Sequence, residues 1–195
     1  MTVVTSAKDW HELEGWWDDG DAQFTDLVVQ WLPEGAICAE IGAWLGRSTA
    51  CMLQTVKKYD KTITQYAIDS WSGSAQEEWQ IQFVIDKGGD NAMLNQFEKN
   101  MRDCGVYSMV TPIQVSSLNG ATRFADGALD FVFLDGGHTE EDVFADIIAW
   151  LPKVKSRGII AGHDIRWMGV KPATDKFFGP GRYTIMDNCW LYFTS

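Results

Sequence analysis

Five short apolar runs, each ending on or just before a polar residue or a glycine, recur along this chain with helical patterns between them. The runs lie at about 36–41, 62–69, 109–115, 130–135 and 158–162. Helical periodicity covers about 46–58, 90–104 and, from an N-cap at Thr139 to Pro152, a further stretch. A short helix is expected after Ser116-Ser117 and a brief one near 171–178. Such alternation admits few folds. It requires a mostly parallel sheet with helices on both faces. The closing GRYTIMDNCWLYFTS reads instead as two strands about a turn at Asp187-Asn188. The expectation is therefore an α/β chain of one domain, 1–195, with seven strands and a C-terminal antiparallel hairpin.

On an open parallel sheet, ligands sit beyond the carboxyl ends of the strands. The polar residues that stand out here fall at those ends: Gly42, Asp69, Ser116, Asp135, and the pair His163-Asp164. Around the first end, ICAEIGAWLGRS reads as strand, glycine turn and helix start. Gly42 and Gly46 permit positive φ, and the free N–H groups of the helix suit a polar or anionic group. Taken alone this pattern also serves packing in many α/β proteins. Asp69, about 23 positions after Gly46, could accept hydrogen bonds from two ribose hydroxyls, or merely cap a strand end. The pattern G-A-W-L-G is not the GxGxxG of a dinucleotide site, and the final hairpin does not suit a second dinucleotide half.

LDGGHT and AGHD bring Asp135, His138, His163 and Asp164 toward one another if the fourth and fifth strands are neighbours across the switch point. Carboxylates with an imidazole could hold a divalent cation. Oxygen ligation favours magnesium, with manganese or calcium as variants, and imidazole admits zinc or iron. His138 reads as a pocket wall behind the ligands. His163 is open between ligand, general base and packed histidine.

The rest of the chain narrows the function. Acidic residues number 27 against 16 basic, a net charge of −11, which disfavours a nucleic-acid partner. Four scattered cysteines form no CxxC and read as buried thiols of a reducing compartment. No run resembles a signal peptide or a membrane span, so a cytoplasmic location is expected. Residues 1–24 form a lead-in in which Trp16 and Trp17 are a candidate homodimer surface. FTDLVVQWL, 24–32, fits a short helix, and 70–89, without periodicity, is the candidate lid. Lys153 to Arg157 reads as a solvated helix end. Trp71 could stack on a base or sit in the core, and Trp79 and Trp167 could line a pocket.

Together, AEIGAWLGRST, YAIDSW, DFVFLDGGHTEEDV and RGIIAGHD resemble, in order and spacing, the class I S-adenosylmethionine-dependent methyltransferases. The likeness, over about 25–195, is to the small metal-dependent O-methyltransferases of catechol and of macrolide or aminocoumarin sugars. It implies a Rossmann-like methyltransferase fold and transfer of a methyl group to a small hydroxylated acceptor. It implies that Gly42 and the backbone after it hold the methionine part, Ser48 its carboxylate, Asp69 the ribose, and Ser116 or Ser117 the adenine. Glu40, Trp44, Ser70, Trp71, Asp135 and His138 complete the expected cofactor shell. Asp135, His163 and Asp164 would be both catalytic and metal-binding, with Mg2+ as the metal. Relatives commonly carry Asp-Asp or Asp-Asn where this chain has His163-Asp164. An acidic site on a similar fold also occurs in cephalosporin-hydroxylase-like proteins. Two other classes fit the same strand ends: an NAD(P)-binding oxidoreductase and a non-catalytic module that binds cofactor.

Overall fold

The computed structural model describes residues 7–73, 82, 89 and 91–195. Seven strands form one sheet: β1 (Ala36–Ile41), β2 (Ile63–Asp69), β3 (Val110–Gln114), β4 (Leu129–Leu134), β5 (Val154–Gly162), β6 (Thr184–Met186) and β7 (Cys189–Phe193). Their order is β3-β2-β1-β4-β5-β7-β6. The first five are parallel; β7 runs antiparallel to β5, and β6 to β7. The chain winds outward from β1 to β3, then returns to the middle as β4. The switch point therefore lies between β1 and β4, not between β4 and β5 as the sequence reading placed it, although β4 and β5 are neighbours as expected.

The central strands β1 and β4 are buried at nearly every position because both faces of the sheet are covered there. Alternate residues point to opposite sides. Cys38, Phe131, Phe133 and Ala161 face one apolar layer, built with α1 (Asp19–Trp31), α2 (Arg47–Lys58) and α3 (Ala92–Asp103). Phe24, Val28, Leu53, Val56, Phe97 and Met101 fill it. Ile41, Val132, Leu134 and Ile160 face the other, covered by α4 (Ser117–Ala121), α5 (Glu140–Trp150) and α6 (Val170–Phe178) through Ile147, Trp150, Val170 and Ala173. All four cysteines are buried and unpaired. Among the described residues, no helix is long and apolar enough to cross a membrane.

Two boundaries differ from the sequence reading. Helix α1 begins at Asp19, five positions early, because the acids of the lead-in form its cap. The Asp18 side chain accepts from the N–H groups of Gly20 and Asp21, and Asp21 accepts in return from the Asp18 N–H at 3.1 Å. The basic run near 155 is not a helix end. Strand β5 starts at Val154, and Lys155 pairs with Asp130 at 2.8 Å. The candidate lid lies outside the described residues beyond Gly73, apart from 82 and 89, as does Trp79.

Candidate active site

The end of β1 is sewn by backbone to β2 on one side and to β4 on the other. The Gly42 N–H donates to the Ile68 carbonyl at 2.8 Å, and the Asp135 N–H donates to the Ile41 carbonyl at 2.8 Å. Gly42 sits at φ +88°, and a Cβ there would stand 2.0 Å from the Asp135 carbonyl oxygen. Only glycine lets the two strand ends approach so closely. An open cleft of about 1690 Å³ spreads over this point. Its floor is the strand ends. Part of its wall is built where two distant stretches of the chain meet: residues of the Gly15 to Asp21 segment, and Asp187 and Asn188 beside them.

On the β2 side, Asp69 holds the loop after β1. One carboxylate oxygen accepts the Trp44 N–H at 2.9 Å, the other the Trp71 N–H at 2.7 Å. Burial pushes its carboxyl above the usual carboxylate range, against these backbone bonds. Each oxygen keeps capacity for a further bond, as two vicinal hydroxyls would require. The loop carries strain there, with Trp44 at φ +42°. Ser70 and Ser116 line the cleft beside Asp69. Ser117 lines it too, but its hydroxyl is committed, donating to Asp146 at 2.5 Å and accepting from the Trp150 indole at 2.9 Å.

Three expected cofactor residues lie elsewhere or are otherwise engaged. Trp71 is core: its ring is buried against Phe97 and its Nε1 donates to the Trp44 carbonyl at 2.7 Å. Glu40 points to the α1–α2 side of the sheet, behind the cleft, because alternation turns it away from Ile41. Burial lifts its carboxyl to about 7, although the hydroxyls of Ser48 and Thr49 both donate to it. Ser48 lines the cleft but spends its hydroxyl on Glu40. The neighbouring Arg47 is the group better placed for a carboxylate. It is the first residue of α2 and lines the cleft. Its Nη1 donates to the Leu13 carbonyl at 2.9 Å, and its Nε is buried with no hydrogen-bond partner among the described residues.

On the β4–β5 side the four expected residues do converge. His138 Nε2 lies 2.9 Å from Asp164 Oδ2. His163 is buried and faces three acids: Nδ1 is 3.5 Å from Asp135 and 3.4 Å from Asp164, while Nε2 is 3.3 Å from Asp21. Burial opposes a charge on this ring, but the three carboxylates outweigh it and hold its pKa well above the usual imidazole range. Asp164 is held well below the carboxylate range. Burial works against ionisation, and His138, His163 and the Asn188 amide, which donates at 2.9 Å, overcome it. Asp164 also has left-handed backbone, φ +56°.

Donor atoms of Asp135, His138 and Asp164 all lie within 4.8 Å of one another, which fits a divalent cation. The expected set held His163 in place of His138. His163 instead has both nitrogens near carboxylates, with Nε2 also 3.3 Å from the Asn188 amide. Asp21, Arg47 and Asn188 were not foreseen as site residues. The Asp18-x-x-Asp21 capping pattern was the one available signal. It starts α1 early enough to carry Asp21 to the strand ends.

A methyltransferase-domain family model matches residues 39–165, from within β1 to just past the end of β5. An uncharacterized protein of Sinorhizobium fredii, y4gI, is 24% identical over 126 residues; the match spans 64% of this chain and only 12% of that longer protein. Among solved structures, the O-methyltransferase NovP superposes with a TM-score of 0.65 at 15% identity, covering 90% of this chain and 80% of NovP. A putative caffeoyl-CoA O-methyltransferase from Staphylococcus aureus gives 0.61 at 14% identity, covering 93% and 86%. With the sheet order, the strand-end cleft and a match over well more than half its length, the chain belongs to the methyltransferase-domain family.

Proposed function

We propose that this protein is an S-adenosylmethionine-dependent O-methyltransferase acting on a small hydroxylated acceptor. The observation that carries the reading is one cleft that joins a β2-end carboxylate, Asp69, to the acid and imidazole cluster at the ends of β4 and β5. Asp69 would accept the ribose hydroxyls, Ser116 would flank the adenine, and Arg47 would pair with the methionine carboxylate. Gly42 closes the β1–β4 junction, and the backbone after it lines the cleft where the methionine chain would lie. When bound, S-adenosylmethionine supplies an electrophilic methyl on sulfur. Asp135, His138 and Asp164 would hold a divalent cation, whose chemistry is to acidify an acceptor hydroxyl.

The protein's own residues divide the remaining work. His163 has both ring nitrogens engaged, Nδ1 with Asp135 and Asp164 and Nε2 with Asp21 and Asn188, so we assign the base role to the Asp135 carboxylate. His163 neutralises part of that acid cluster and fixes the orientation of Asp135 and Asp164. The cleft walls would hold acceptor and methyl donor in line, which can supply about 7–11 kcal/mol of the acceleration. The test is transfer of labelled methyl from S-adenosylmethionine to catechol. Asp135→Ala and Asp164→Ala should each lower turnover by roughly a hundredfold or more while thermal melting stays cooperative. Loss of folding in step with activity would refute the assignment.

A further inference from the structure

A second group of donor atoms lies across the His163 ring from Asp135 and Asp164. Asp21 stands in the first turn of α1, His163 directly follows β5, and Cys189 opens β7. All three are buried, at 4%, 5% and 0% exposure. Asp21 Oδ1 is 3.3 Å from His163 Nε2 and 3.7 Å from Cys189 Sγ, and the three donor atoms fall within 4.8 Å of one another. These spacings suit ligands about one tetrahedral ion. With zinc bonds of roughly 2.0–2.1 Å to nitrogen and oxygen and about 2.3 Å to sulfur, the tetrahedral edges are about 3.3 Å for N···O and about 3.5 Å for S···O.

The donor types point the same way. Thiolate and imidazole select zinc and similar ions, whereas magnesium takes oxygen. Charge balances as burial requires, because a carboxylate, a thiolate and a neutral imidazole cancel a divalent ion. The far side of the His163 ring is arranged to support a metal on Nε2. Nδ1 faces Asp135 at 3.5 Å and Asp164 at 3.4 Å, so its N–H has a carboxylate acceptor, the usual partner of a zinc-bound histidine. Asn188 brings a further oxygen nearby. Its amide nitrogen is 3.3 Å from Nε2, and its Oδ1 is buried with no hydrogen-bond partner among the described residues. Asp21 and His163 line the cleft, which gives an ion its way in.

We propose that Asp21, His163 and Cys189 form a zinc site, separate from the cleft-side cluster of Asp135, His138 and Asp164. On uptake the thiol proton and the proton on Nε2 leave to solvent, and the ion takes over the positive charge that the imidazolium holds among the acids. The ion joins the start of α1 to the end of β5 and the start of β7, and so pins the wall of the cleft. The site does not depend on methyl transfer and is tested without cofactor.

The experiment uses the full chain, freed of metal with EDTA and dialysed, then titrated with Co2+ and afterwards with Zn2+. A thiolate ligand gives Co2+ an intense near-ultraviolet charge-transfer band that oxygen and nitrogen ligands alone do not give. Equimolar Co2+ should produce the band, and Zn2+ should abolish it by displacement. Cys189→Ser should lose the band and bind Zn2+ at least about tenfold more weakly. His138→Ala, which touches only the cleft-side cluster, should keep it. No thiolate band in the folded wild-type chain, or a band that survives Cys189→Ser, overturns the proposal. If Cys189→Ser does not melt cooperatively, Asp21→Asn decides instead: Zn2+ affinity should again fall at least about tenfold, and an unchanged affinity overturns the proposal.

Discussion

Glu40 offers the sharpest physical test, because its carboxylate is 3% exposed in the middle of the sheet and is bridged by the Ser48 and Thr49 hydroxyls. Burial raises its pKa from 4.5 to about 7. A raised carboxyl means that the native state keeps a proton the unfolded chain has already released. Its contribution to stability is fully present below about pH 4.5 and is lost as pH rises through 7. Integrated between pH 5 and pH 8, that loss is about 2–3 kcal/mol. Glu40→Gln does not titrate, and its amide can accept from one hydroxyl and donate to the other. The variant should therefore gain about 2–3 kcal/mol on the wild type between pH 5 and pH 8. Urea unfolding at both pH values measures this directly. At a slope of about 2 kcal/mol/M it is a relative midpoint shift near 1 M. Comparing variant with wild type at each pH cancels other groups that titrate, such as Asp146, whose carboxyl burial raises to about 6. Parallel stability profiles for the two proteins would refute the reasoning.

Two further substitutions probe the cleft floor. Gly42→Ala forces a Cβ to 2.0 Å from the Asp135 carbonyl at φ +88°, with backbone on both sides and nothing able to yield cheaply. It should cost several kcal/mol, read as a lower urea midpoint; an unchanged midpoint would contradict the described β1–β4 junction. Asp69→Ala removes the acceptor of the Trp44 and Trp71 N–H groups as well as the proposed ribose ligand. S-adenosylmethionine affinity should fall by at least about tenfold, and unaltered affinity by calorimetry would remove Asp69 from the cofactor site.

The sheet was legible because strands covered on both faces are continuous apolar runs, and β1 was placed to the residue, Ala36–Ile41. The convergence of Asp135, His138, His163 and Asp164 was legible because strand ends share one rim. What lay beyond the sequence was side-chain direction. Glu40 stands one residue before Ile41 and so falls on the opposite face of the sheet. Trp71 follows Asp69 yet turns inward, its indole held by the Trp44 carbonyl. Ser48 and Arg47 are adjacent, and only packing shows that the serine serves Glu40 while the arginine lines the cleft. Asp21 lay hidden among acids that looked solvated; it reaches His163 only because the same acids cap α1 early.

The most direct measurement of the central claim is calorimetric titration of the intact protein with S-adenosylmethionine and, separately, with NADH, each with magnesium and again with EDTA. The account predicts saturable, one-to-one binding of S-adenosylmethionine and none of NADH. Binding of NADH in preference, or no S-adenosylmethionine binding by well-folded protein, would contradict it.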